Sequence, residues 1–233
     1  MRAVRFILLL LSVGALAQQP VDSLKTHDPF PAVDSLYRED QFYIGLTYNR
    51  LLKVPDGYSQ NGLATGFHAG FLRDMPVNKE RTVALALGLG VSWNKYHHDM
   101  LVTEAGGNRQ YQILEDIDYD RNKLEQLFIE VPFEFRWRNS TPATTKFWRI
   151  YAGFKVRWLA FNKSTFAGSD KIVVRQNSDL TPFQYGPTLS VGYNTWNFHV
   201  YYGLNAMFRK GALDDGQPLE MHALNLGLMF YIL

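Results

Sequence analysis

Six charged residues crowd two neighbouring stretches of the chain: Glu130, Glu134, Arg136 and Arg138, then Lys155 and Arg157. Within each stretch they are an even number of residues apart, so in extended backbone they share one face. Acids and bases on one buried face must pair, because an isolated ion out of water is too costly. Closing the two stretches as a hairpin around Thr141 to Thr145 sets Glu130 opposite Lys155 and brings Glu134 close to Arg136 and Arg149. Such a network can do one of two things: hold a structure shut, or pass a proton or solute. The structural role is the expected one.

Two other groups could carry chemistry. His68, His199 and Ser92 fall on inward positions of their segments, and His97 and His98 sit where a strand enters a long loop. A serine beside an oriented histidine is the minimum of a hydrolase or acyltransferase site. Here no acid partner is fixed by spacing and no nucleophile motif is present, so ordinary rim and lumen histidines are expected, and no catalytic residue is assigned. In the same loop, Asp116, Asp118 and Asp120 alternate and could face a hard cation. The glycine and glutamate of a calcium-binding loop do not follow; Arg121 and Asn122 do. The segment reads as a solvated acidic loop, and neither metal nor cofactor is implied.

The elements that hold these residues are strands. Val83, Leu85, Leu87, Leu89, Val91 and Trp93 are large and apolar, while Ala84, Ala86, Gly88, Gly90, Ser92 and Asn94 between them are small or polar. A soluble sandwich would carry charged side chains on its second face. A small, nearly uncharged second face is expected where bulky residues meet lipid and the others line a narrow lumen. A soluble lipocalin-like barrel would need a polar exterior, which this strand and the last one lack.

Eight segments fit the alternating template: Gln41 to Arg50, Gly62 to Asp74, the strand from Val83, Leu124 to Arg138, Phe147 to Phe161, Thr181 to Asn194, Trp196 to Arg209, and Glu220 to Leu233. The connections alternate in length. Leu51 to Asn61, Lys95 to Asn122, Asn162 to Leu180 and Lys210 to Leu219 are long; Met75 to Arg81, Asn139 to Lys146 and Asn194-Thr195 are short. Long outer loops alternating with short inner turns are the mark of an up-and-down membrane barrel with both termini in the periplasm. Trp93, Trp137, Trp148, Trp158, Trp196, Tyr48 and Tyr193 fall near strand ends, where such barrels carry aromatic girdles. Eight strands enclose an interior that side chains just fill, so a plugged lumen is expected rather than an open pore.

Residues 1–17 read as a secretory signal: Arg2 and Arg5, an apolar run from Phe6 to Leu11, and Ala15-Leu16-Ala17 before the cut. Residues 18–40 are polar and broken by Pro20, Pro29 and Pro31, as in a flexible periplasmic tail, and residues 41–233 form the barrel. In the tail Val21-Asp22-Ser23-Leu24 recurs as Val33-Asp34-Ser35-Leu36; a short docking repeat is one reading, and a coincidence of composition is the expected one. The chain has no cysteine, hence no lipid-anchor, disulfide or thiolate site, and its net charge of +2 gives no sign of nucleic acid.

The stretch Leu127-Phe128-Ile129-Glu130-Val131-Pro132-Phe133-Glu134-Phe135 resembles the "l-x-i-E-x-P" strand of the PorT-like, porin-family outer-membrane barrels of Bacteroidota, and Tyr151-Ala152-Gly153-Phe154 is similar to the glycine-containing strand that follows it there. The resemblance spans roughly Gln41 to Leu233. It implies an outer-membrane barrel without known catalytic residues or cofactor, some of whose relatives serve type IX secretion and gliding. It carries over Glu130 and Pro132 as structural residues; proline suits a strand position whose N–H need not pair.

The expectation is therefore an all-β, eight-stranded antiparallel up-and-down transmembrane β-barrel in the outer membrane. It touches lipid, and its expected role is that of a non-enzymatic scaffold or accessory component of an envelope protein complex. A narrow porin-like channel, a lipid-modifying enzyme at the rim and ligand binding by the loops are the alternatives.

Overall fold

A computed structural model describes residues 40–114, 118–139, 146–209, 211, 213 and 216–232. The signal and tail expected over 1–40 lie outside them, except for Asp40, which is the first residue of β1. Eight strands form the barrel wall: β1 (Asp40–Leu52), β2 (Thr65–Pro76), β3 (Val83–His97), β6 (Arg121–Arg138), β7 (Trp148–Ala167), β9 (Phe183–Tyr193), β10 (Trp196–Tyr202) and β11 (His222–Ile232). Each is antiparallel to its chain neighbours, β1 pairs with β11, and β6–β7 pairing completes the ring. The all-β, closed eight-stranded barrel read from the sequence is the fold.

Alternation builds the wall. Large outward residues such as Leu87 (49% exposed) cover the exterior, while their neighbours, such as Ala86 (0%), line the lumen. With no water to satisfy an open edge in lipid, ring closure is what makes this sheet viable. Hydrogen-bonded rows followed from Leu226 reach Ala152 of β7 one way round, through Val200 and Leu189, and Lys163 the other way, through Tyr48, Thr65, Lys95 and Glu125. This stagger tilts the strands, as closure requires. Ala160 is the extra residue of a bulge in β7, where Leu127 faces Phe161 but Phe128 faces Leu159.

Two glycines make room inside. Gly70 and Gly90 are cross-strand partners on β2 and β3, and a Cβ on either would run into the Tyr43 ring or hydroxyl that lies across them.

Three further strands stand among the long connections. The segment Lys95 to Asn122, read as one loop, contains the end of β3, the hairpin β4 (Met100–Ala105) and β5 (Asn108–Ile113), and the start of β6. Gly106 and Gly107, both at positive φ, turn the hairpin. The segment Asn162 to Leu180 carries the end of β7 and β8 (Lys171–Arg175), which pairs with it. Conversely, the strand expected to run from Trp196 to Arg209 stops at Tyr202. Asn194 takes the positive φ of a tight turn, as its place between β9 and β10 demands.

Candidate functional site: a filled lumen under a folded cap

All six charged residues singled out in the sequence face the lumen and are buried: Glu130, Glu134, Arg136, Arg138, Lys155 and Arg157. The register differs from the expected one by two residues. Glu130 faces Arg157 and Lys155 faces Pro132, and a two-residue difference in register keeps every side chain on its face. Lys155 Nζ still reaches Glu130 Oε2, diagonally, at 3.0 Å. Arg149 does not join Glu134; it lies over the Phe147 ring at 4.6 Å.

Toward the turn end, Arg136 is the hub. Its Nε donates to Glu134 (2.9 Å), its Nη1 to Asp74 and Gln41 (both 3.0 Å), and its guanidinium lies 4.6 Å from the Tyr151 ring centre. Arg138 donates to the other Asp74 oxygen at 3.0 Å and to the Arg81 carbonyl at 2.7 Å. Asp74 and Glu134 thus share a buried space with the two arginines, and Tyr43, Leu72 and Met229 form a buried apolar cluster elsewhere in the lumen. Asp74 and Gln41 were not singled out in the sequence. The signal was there: Asp74 has the parity of His68 on β2, but as the final residue of its segment it read as a strand end.

In the middle, Glu130 accepts from Ser92 Oγ (2.7 Å) and lies 3.5 Å from His68 Nδ1, whose Nε2 is 3.2 Å from Thr47 Oγ1. Ser92 and His68 face inward as expected, yet the serine is committed to the glutamate and buried at its level. Ser190 Oγ lies 2.7 Å from His199 Nδ1 in the same interior. Farther toward the loop end, Arg157 donates to Gln184 at 2.8 Å between the rings of Phe128 and Tyr201, whose centres are 4.3 and 4.5 Å away.

Above the charges the loops pack into a core of their own. Leu51, Tyr96, Met100, Tyr111, Met207 and Met221 are among its buried members. The β4–β5 hairpin is tied down by Tyr111, whose hydroxyl donates to Asp179 at 2.9 Å and accepts from Asn177 at 2.8 Å. At the base of the cap, the Asp99 carboxylate accepts the Ser59 amide at 2.9 Å, and His98 stacks on Tyr58 with ring centres 5.9 Å apart. Burial pushes the His98 imidazole down to about 4 and the Asp99 carboxyl upward. The Met100 amide donates to His98 Nδ1 at 3.2 Å, so a proton arriving there must displace that bond. Of the alternating carboxylates, Asp116 lies outside the described residues; Asp118 and Asp120 are exposed.

Filled interior, apolar belt and closed ring together describe a barrel that lives in lipid, and the family comparison agrees. A profile for the outer membrane protein beta-barrel domain matches residues 17–209. The chain belongs to that family. It is thereby an integral outer-membrane protein. The match takes in seven wall strands, and β11, which completes the ring, lies beyond it. No curated protein shows significant similarity to the chain.

Proposed function

We propose that this outer-membrane barrel is a non-enzymatic scaffold or accessory component of an envelope complex, seated with its cap outside and both termini in the periplasm. One observation carries the reading. The long connections are folded into a packed core over the lumen, and so offer a shaped surface instead of a mouth. Buried charges, ion-paired except for Arg157 on Gln184 and two rings, fill the space beneath, and their role is to hold the wall strands together. The alternation of long and short connections supports the orientation. The resemblance of the Glu130–Pro132 strand to PorT-like barrels supports a secretion-related assembly.

The test is a tagged pull-down from native outer membranes in mild detergent, read by mass spectrometry. A stoichiometric set of envelope proteins is expected. A solitary barrel, together with intact envelope assemblies in a deletion strain, overturns the proposal. The narrow-channel alternative is tested separately in planar bilayers, where the wild type should show no discrete conductance steps.

A further inference from the structure

The outside of the barrel is not uniform. β9, β10 and β11 carry no lysine or arginine. On the opposite wall, just beyond the aromatic level at the cap end, cations crowd the outward face. Lys95 lies two residues past Trp93 on β3, roughly 7 Å farther along the strand. In the same hydrogen-bonded row come Glu125 of β6, Lys163 of β7 and Arg175 of β8. Lys123 follows two residues above Glu125, and His97 lies within electrostatic reach of Lys95, Arg121 and Lys123. Glu125 is the one acid on these strand faces, and its carboxylate is taken by Lys123 at 2.8 Å. Neither Lys95 nor Lys163 has an ion-pair partner among the described residues.

Directly below this patch is a groove of about 320 Å³ on the lipid-facing surface. Leu46, Phe67 and Trp93 form its apolar part, Thr65 and Gly66 line it between them, and Lys95 and Glu125 stand at its upper rim. An apolar slot in the belt with Lys95 at its rim, and Lys163 two strands farther along the same row, matches a molecule that is apolar along its length and anionic at its head. Tryptophan marks the level of the headgroups, which is where Lys95 begins.

We propose that this groove seats a phosphorylated glycolipid of the outer leaflet, with an acyl chain along Leu46, Phe67 and Trp93 and a phosphate against Lys95 and Lys163. The assignment of the leaflet rests on the orientation proposed above. An accessory barrel with one lipid-gripping wall would leave the cation-free β9–β11 wall for protein neighbours.

The test uses the full chain refolded in micelles, with native mass spectrometry after adding bisphosphorylated lipid A, its dephosphorylated form or phosphatidylglycerol. Heat-modifiable gel mobility confirms that each variant is folded. Phosphate-dependent retention of lipid A is expected. It should weaken about fivefold in Lys95→Gln, and more when Lys163→Gln is added. Glu125→Gln, which removes the nearby negative charge and frees Lys123, should tighten it, and Arg73→Gln at the opposite end should leave it unchanged. Equal retention of the dephosphorylated lipid or of phosphatidylglycerol, or full retention by the folded double lysine variant, overturns the site. Orientation is read independently. The chain has no cysteine, so Glu104→Cys in whole cells reports on the hairpin with a membrane-impermeant maleimide. Failure to label overturns the outward cap and the leaflet assignment, whatever the micelle result.

Discussion

Arg136 of β6 and Asp74 of β2 meet at 3.0 Å although β3 runs between their strands, and both side chains are fully buried. Ala84 and Ala86 make this reach possible. They are the β3 residues in register with Arg136 and Glu134 on one side and with Pro76 and Asp74 on the other. The small second face of β3 is a floor over which long side chains from its neighbours lie.

Replacing Asp74 by asparagine removes the buried carboxylate that both Arg136 and Arg138 reach. Breaking such a pair from one side costs about 3–5 kcal/mol. Urea unfolding in detergent, followed by gel mobility, should show the loss, and a midpoint equal to wild type would remove Asp74 from the network.

Leu87 and Ala86 are adjacent but face different media. Leu87→Arg should cost about 2–4 kcal/mol as a charge on the lipid face near mid-bilayer. Ala86→Arg should fail for another reason, by displacing the Arg136–Asp74 pair across β3. The folded fraction in isolated outer membranes reports both, and shortening the substituted side chain to lysine or serine should rescue Ala86 variants stepwise. Equal tolerance at both sites contradicts the assignment of faces.

Gly90→Ala should collide with Tyr43 and lower stability by about 1–3 kcal/mol. Tyr43→Ala in the same chain should recover part of that loss, since the alanine then occupies space the ring has left. An additive double variant would mean that the two positions do not share the space.

The cap should loosen in mild acid. His98 is held down to about 4 in the folded protein, below the ordinary value near 6.5. A depressed histidine contributes no penalty above its unfolded pKa; stability is lost as pH falls from about 6.5 toward about 4, up to roughly 3 kcal/mol. Asp99 works the other way, because its raised carboxyl takes up a proton more readily in the fold, and it offsets part of the loss at the acid end. Hydrogen exchange in residues 95–114, corrected for intrinsic rates, should accelerate at pH 5 relative to pH 7.5, and His98→Leu should abolish that step.

The sequence was most readable where one periodicity ruled. Alternation located the wall strands and separated Leu87 from Ala86, and parity put all six network residues inside. Register is harder, because alternation does not encode the exact centre of the β6–β7 turn and so does not tell Glu130 from Pro132 as the residue opposite Lys155. The cap was least visible. Many of its core side chains, such as Met207 and Met221, come from irregular segments with no period, and burial there is decided by packing between distant pieces. Signals existed even so: Gly106-Gly107 between two extended runs is a hairpin turn, and Ile172-Val173-Val174 is a β-branched run of strand type.

The wall strands differ greatly in length. β6 and β7 run for 18 and 20 residues, whereas β10 has 7. Under a pulling force the barrel is consequently not an isotropic cylinder. The β6–β7 hairpin, with the longest pairing, is expected to be its stiff spine and β10 its soft seam, so rupture is expected to begin at β10 and reach the spine last.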